Sequence, residues 1–90
     1  MDDGYVRVPN DPEFRKLLEV IFDDKFMKEN TTLENFEAFK YSSAVITNWN
    51  ADTMVYARIL LDGFVRESTR FNTWEEMVMA ATDAKFGSQK

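Results

Sequence analysis

The stretch Ala51–Arg66, ADTMVYARILLDGFVR, is the longest apolar-rich run in the chain, and any fold has to find cover for it. Placed on a helix, its polar residues Arg58, Asp62 and Arg66 fall at i, i+4 and i+8 and line one side. Met54, Val55, Tyr56, Ala57, Ile59, Leu60, Leu61, Phe64 and Val65 take nearly all remaining positions. A helix apolar over most of its circumference must be buried by several neighbours. The run is too long for an ordinary strand and its apolar residues do not alternate, so the pattern predicts a helix over 51–67. Asn50 would cap it, Asp52 would sit favourably in its first turn, and Trp49 with Met54 has the spacing of a hydrophobic staple. Gly63 costs about 1 kcal/mol in a helix interior. It marks either a close approach by a neighbour or an early end. An Arg58–Asp62–Arg66 ladder on the exposed edge, at about 0.3–0.5 kcal/mol per pair, would aid solubility and add little to the fold.

Other segments predict three more helices around this one. Asp11 caps a helix that starts at Pro12, where the missing N–H is harmless. Phe14, Leu17, Leu18, Ile21 and Phe22 then recur at i, i+3, i+4, i+7 and i+8, giving one apolar face over 12–27, with the end fraying between Asp24 and Asn30. Thr31 and Glu34 have the spacing of a capping box, which predicts a helix over 32–47 with Leu33, Phe36, Phe39, Ser43 and Ile46 on one face and Ala38, Tyr41 and Val45 on an adjoining one. Its second half carries Val45, Ile46 and Thr47, which are β-branched, so helix and irregular backbone both stay open over 41–49. Thr73 with Glu76 opens a last helix over 74–86, with Trp74, Met77, Val78 and Ala81 inward and Gly87 at its end. Before the first helix, residues 1–10 read as an arm in which Tyr5–Val8 can extend. Residues 87–90 read as a frayed tail, and 11–86 as one helical domain. The expectation is therefore an all-α, compact four-helix domain with no internal repeat.

Ninety residues suffice for one modest core, and thirteen aromatics supply bulky material for it. No cysteine is present, which excludes thiol catalysis and thiolate metal sites and fits a reducing, cytoplasmic setting. Histidine is absent as well, and with it the commonest general base and transition-metal ligand. No segment has the length and apolarity to span a membrane, and the N-terminus lacks the apolar core of a signal peptide.

Asn48, Asn50 and Asp52 match the first three ligand positions of a calcium loop, but Thr53 and Ile59 stand where glycine and glutamate are needed. Glycines are isolated, so no phosphate loop is present, and no serine has a base at a catalytic spacing. The adjacent pairs Asp23–Asp24 and Glu75–Glu76 would diverge by about 100° on a helix rather than converge on one pocket. A helix-turn-helix reading of the second and third helices would present Met54, Val55 and Tyr56 to bases, which argues against nucleic acid and ranks a nucleic-acid-binding regulator last among the alternatives. These observations predict a non-enzymatic chain without cofactor or metal.

Charge is uneven. Residues 1–37 carry ten acids and five bases, whereas residues 38–74 carry three acids and four bases. That imbalance predicts a protein–protein interaction module whose acidic N-terminal third meets a basic partner surface. The residues expected to form that surface are Glu19, Asp23, Asp24, Glu34 and Glu37. The alternative is a homodimeric assembly protein that covers the apolar third helix with a second copy.

Overall fold

Asp11 and Pro12 begin the first helix as the sequence predicts, since the Asp11 carboxylate accepts from Phe14 N–H at 2.8 Å. In the computed structural model, which describes residues 4–87, the elements run β1 (Tyr5–Pro9), α1 (Pro12–Ile21), α2 (Asp24–Asn30), α3 (Phe36–Ser42), β2 (Thr53–Ala57), α4 (Arg58–Ser68) and α5 (Trp74–Phe86). The fold is mixed: five helices with a two-stranded antiparallel sheet, not an all-α four-helix bundle. Residues 1–3 of the expected arm and 88–90 of the expected tail lie outside the described residues.

The main correction falls on the central run. Its first part is not helix but β2, and only Arg58–Ser68 is helical. β1 pairs with β2 from Tyr5↔Ala57 to Pro9↔Thr53, so the extended part of the arm is a sheet strand. Met54 and Tyr56 point into the core, while Val55 and Ala57 are half-buried. Threonine, valine and tyrosine suit a pleated, half-buried surface once a partner strand is available. The length argument failed because the run contains two elements joined end to end. Asn50 lies in the turn before β2 and caps nothing. α4 starts at Ala57 without a side-chain cap, and the Trp49 indole N–H donates to Ser43 Oγ at 2.9 Å.

Two other expectations change in the same way. The helix predicted over 12–27 is two helices. Phe22 ends α1, and Asp23 restarts the chain by accepting from Phe26 N–H at 2.8 Å. Phe22 is buried in this break among the rings of Phe26, Phe36 and Trp74. The predicted capping box at Thr31 is instead the end of α2, where Thr31 Oγ1 donates to Met27 O at 2.7 Å. Asn35 is the real N-cap of the following helix, which covers only Phe36–Ser42. Residues 43–46 then turn, and Thr47 bridges to Tyr56 beside β2.

The structure also reveals an internal duplication that a reading for helices does not expose. Residues 24–37, DKFMKENTTLENFE, correspond to residues 62–75, DGFVRESTRFNTWE. Asp24, Phe26, Glu29, Thr31 and Glu37 recur unchanged as Asp62, Phe64, Glu67, Thr69 and Glu75. Hydrogen bonds recur with them. Thr31 Oγ1 donates to Met27 O and accepts from Leu33 N–H at 2.9 Å. Thr69 Oγ1 donates to Val65 O at 2.8 Å and accepts from Phe71 N–H at 2.9 Å. Asn35 and Thr73 cap the helices that follow.

The two units meet through an antiparallel bridge between Thr31 and Thr69. Across it Thr32 N–H donates to Ser68 O and Arg70 N–H donates to Asn30 O, a pair of bonds that exchange under the same correspondence. The arrangement is a pseudo-twofold. It satisfies the carbonyls left open at the ends of α2 and α4.

Inside, Phe22, Phe36, Phe39, Trp49 and Trp74 form a continuous ring cluster with centroid separations of 4.7–6.0 Å. Leu61, Val65, Met77 and Ala81 close it from α4 and α5. The polar stripe of α4 does not form a ladder. Arg58 pairs with Glu75 at 3.3 Å, Asp62 accepts from Trp74 N–H at 2.9 Å, and Arg66 donates to Asn72 O at 3.3 Å. All three therefore dock α4 on the start of α5, with Asp62 serving a backbone donor that α5 itself cannot pair.

Candidate protein-interaction surface

Asp23 and Asp24 are placed by the chain break after Phe22. Asp23 is the N-cap of α2 and Asp24 its first residue, where the helix dipole favours negative charge. Glu37 occupies the corresponding first turn of α3, and Glu19 lies near the end of α1. The fold brings these four carboxylates from three helices to one cleft of about 620 Å³, which Lys25 also lines, so the acids outnumber the cation four to one. Its floor is the stacked pair Phe22–Phe36, with centroids 4.7 Å apart and rings inclined by 24°. Glu34 does not line it and stands exposed on the bend before Asn35.

The carboxylates differ in how they are held. Asp23 pairs with Lys85 at 2.9 Å. That hydrogen bond, together with the Phe26 N–H, holds its carboxyl below the usual aspartate value. Glu37 pairs with Lys40 at 3.1 Å, and the Lys40 ammonium lies over the Phe36 ring at 5.4 Å. Among the described residues no cation pairs with Glu19, Asp24 or Glu34. Exposed pairs such as Lys40–Glu37 are worth about 0–1 kcal/mol and exchange readily for an incoming cation. The surface thus offers charge, two unpaired carboxylates at the rim, and an aromatic floor. Among the described residues no group of three or more acidic side chains is placed to hold a metal.

The acids are legible as charges in the sequence, whereas the aromatic floor beneath them is not. The periodicity places Phe22 and Phe36 on helix faces and does not show the α1–α2 break that sets Phe22 against Phe36. The repeated NFE and TWE triplets carried a usable signal, because each places an N-cap, a buried ring and a first-turn glutamate in succession. No protein-family model matches the sequence, and comparison with curated proteins and with solved structures also returns no match.

Proposed function

We propose that the chain is a non-enzymatic protein–protein interaction module that takes a basic segment of its partner into the cleft over Phe22 and Phe36. The observation behind this reading is the meeting of Glu19, Asp23, Asp24 and Glu37 from three helices at one aromatic-floored surface. A cationic segment gains charge complementarity there, and charge carries the binding because the rings of the floor are almost fully buried. A regulator, inhibitor or accessory protein would use such a surface. A cytoplasmic setting, expected from the cysteine-free sequence, goes with it. No helix of the described chain is long and apolar enough to cross a membrane.

The test uses Glu19→Lys with Asp24→Lys, since neither carboxylate has an ion-pair partner among the described residues to lose. Binding of a dodecapeptide of alternating lysine and leucine is followed by calorimetry at two salt concentrations. Reversal should weaken binding at least about tenfold, remove most of its salt dependence and leave the thermal midpoint within a few degrees. Equal binding by the variant sinks the proposal.

A second reading, self-association, is favoured by one observation. Tyr41, Val45, Ile59 and Leu60 are large apolar residues exposed by 86%, 95%, 78% and 59%. A second copy of the chain would take such side chains out of water. Sedimentation of wild type and Ile59→Asp at increasing concentration decides it: a concentration-independent monomer mass for wild type removes this reading. The helix-turn-helix alternative loses its basis, because β2 separates α3 from α4.

A further inference from the structure

A second cleft, of about 440 Å³, lies between α2 and α5 on the other side of Asp23 and Lys25. Its volume is that of a small-molecule site. Phe26 and Phe71 form one wall, parallel to within 2° with centroids 5.9 Å apart, and the small side chain of Ala84 leaves the space open. Three cations, Lys25, Arg70 and Lys85, line it together with two carboxylates, Asp23 and Glu29. The local balance is one positive charge in a chain of net charge −5.

The cations are not equally occupied. Lys85 pairs with Asp23 at 2.9 Å and Lys25 with Glu29 at 3.0 Å. Arg70, among the described residues, has only the Asn30 Oδ1 atom at 3.5 Å from its guanidinium. A guanidinium has five N–H donors in a fork that matches a carboxylate, so most of its capacity is unused.

The duplication gives an independent reason to separate this cleft from the needs of folding. Lys25 stands where the second unit has Gly63, and Arg70 stands where the first has Thr32. The residues that hold the units together, Phe26, Thr31 and their counterparts, are common to both. The cationic rim is not. α5 also continues beyond the length of α3, and this extension supplies Ala84 and Lys85. The rim is therefore an addition to the shared scaffold, gathered at one end of the pseudo-twofold.

We propose that this cleft binds a small aromatic monocarboxylate, with its ring against Phe26 and Phe71 and its carboxylate on Arg70. A single excess positive charge suits a monoanion. A phosphate dianion would face Asp23 and Glu29 with too little compensation.

The probe is 2-naphthoate, with uncharged 2-naphthamide as control, titrated into the full-length isotope-labelled chain and followed by amide NMR shifts. Ligand efficiencies typical of molecules this size give a Kd of about 1 mM. The expected result is saturable shifts at Asn30, Arg70, Phe71 and Ala84, with naphthamide about fivefold weaker, the worth of one contact ion pair in water. Arg70→Gln should lose a similar factor. Ala84→Leu, at an exposed helical position, should remove binding by filling the space while keeping the thermal midpoint. No saturable shift at about ten times the expected Kd overturns the proposal. Equal affinity for the amide, or unchanged binding by Arg70→Gln, overturns it as well. Neither substitution touches the acidic cleft, so this result and that of the basic peptide are read separately.

Discussion

Asn10→Ala should be among the most destabilising single changes outside the aromatic core. The Asn10 side chain is 1% exposed, and its amide nitrogen donates to Trp49 O at 2.7 Å and to Ala51 O at 2.8 Å. Its backbone N–H donates to Asp52 O at 2.8 Å, and its carbonyl accepts from Arg15 Nε at 3.1 Å. One residue therefore ties the end of β1 to the turn that enters β2 and to α1. Alanine keeps the backbone bonds and removes both side-chain donors. Each lost buried bond costs about 1–2 kcal/mol, since the carbonyl left behind keeps its desolvation penalty.

Some of that loss is offset. Among the described residues Asn10 Oδ1 is buried without a hydrogen-bond partner, and removing it returns about 1 kcal/mol. The net expectation is a loss of roughly 1–3 kcal/mol, or a fall of about 5–20 °C in thermal midpoint for a domain of this size. Asn10→Asp should cost more at neutral pH, because it turns a carboxylate toward two carbonyl oxygens. The assay is urea unfolding followed by fluorescence of Trp49 and Trp74, both buried. Comparison requires an unchanged m-value, so that the shift in midpoint reports stability alone. A loss below about 0.5 kcal/mol for Asn10→Ala would refute the reasoning, since it would mean that the two carbonyls find other partners without cost.

The duplication predicts that Thr31→Val and Thr69→Val destabilise by similar amounts, about 1–2 kcal/mol each, because each hydroxyl shares one donor and one acceptor bond with its counterpart, Thr31 Oγ1 adding an approach of 3.0 Å to Leu33 O; equilibrium unfolding that separates the two by more than about 1.5 kcal/mol would contradict the equivalence. Lys85→Met should raise the Asp23 carboxyl toward its ordinary value, read directly from a carboxyl-carbon NMR titration. Because the folded-state value is depressed, the pair stabilises the fold above the ordinary aspartate range and that contribution is lost as pH falls through the folded value. The variant should therefore show a flatter loss of stability in acid, and an unmoved Asp23 titration would show that Lys85 is not its cause.

Local chemistry alone specifies a good deal of this protein. Asp11 with Pro12 starts α1, and Thr73 with Glu76 starts α5. Trp74, Met77 and Ala81 define the buried face of α5, because caps and a helical apolar period act within a few residues. Composition likewise removed histidine and cysteine chemistry, and the excess of acids in the first third was plain from counting. Where an element's conformation depended on a distant partner, reading along the chain failed. Thr53–Ala57 is extended because Tyr5–Pro9, far away in sequence, pairs with its backbone. No local propensity records that pairing, and the same apolar residues satisfy a buried helix equally well. The break at Phe22 and Asp23 was decided similarly, by burial of a ring against Phe36 and Trp74 that outweighs one continued turn of helix. That break is also what gathers Glu19, Asp23, Asp24 and Glu37. The acids were legible as charges, but their convergence on a surface is a property of how three helices pack around one phenylalanine.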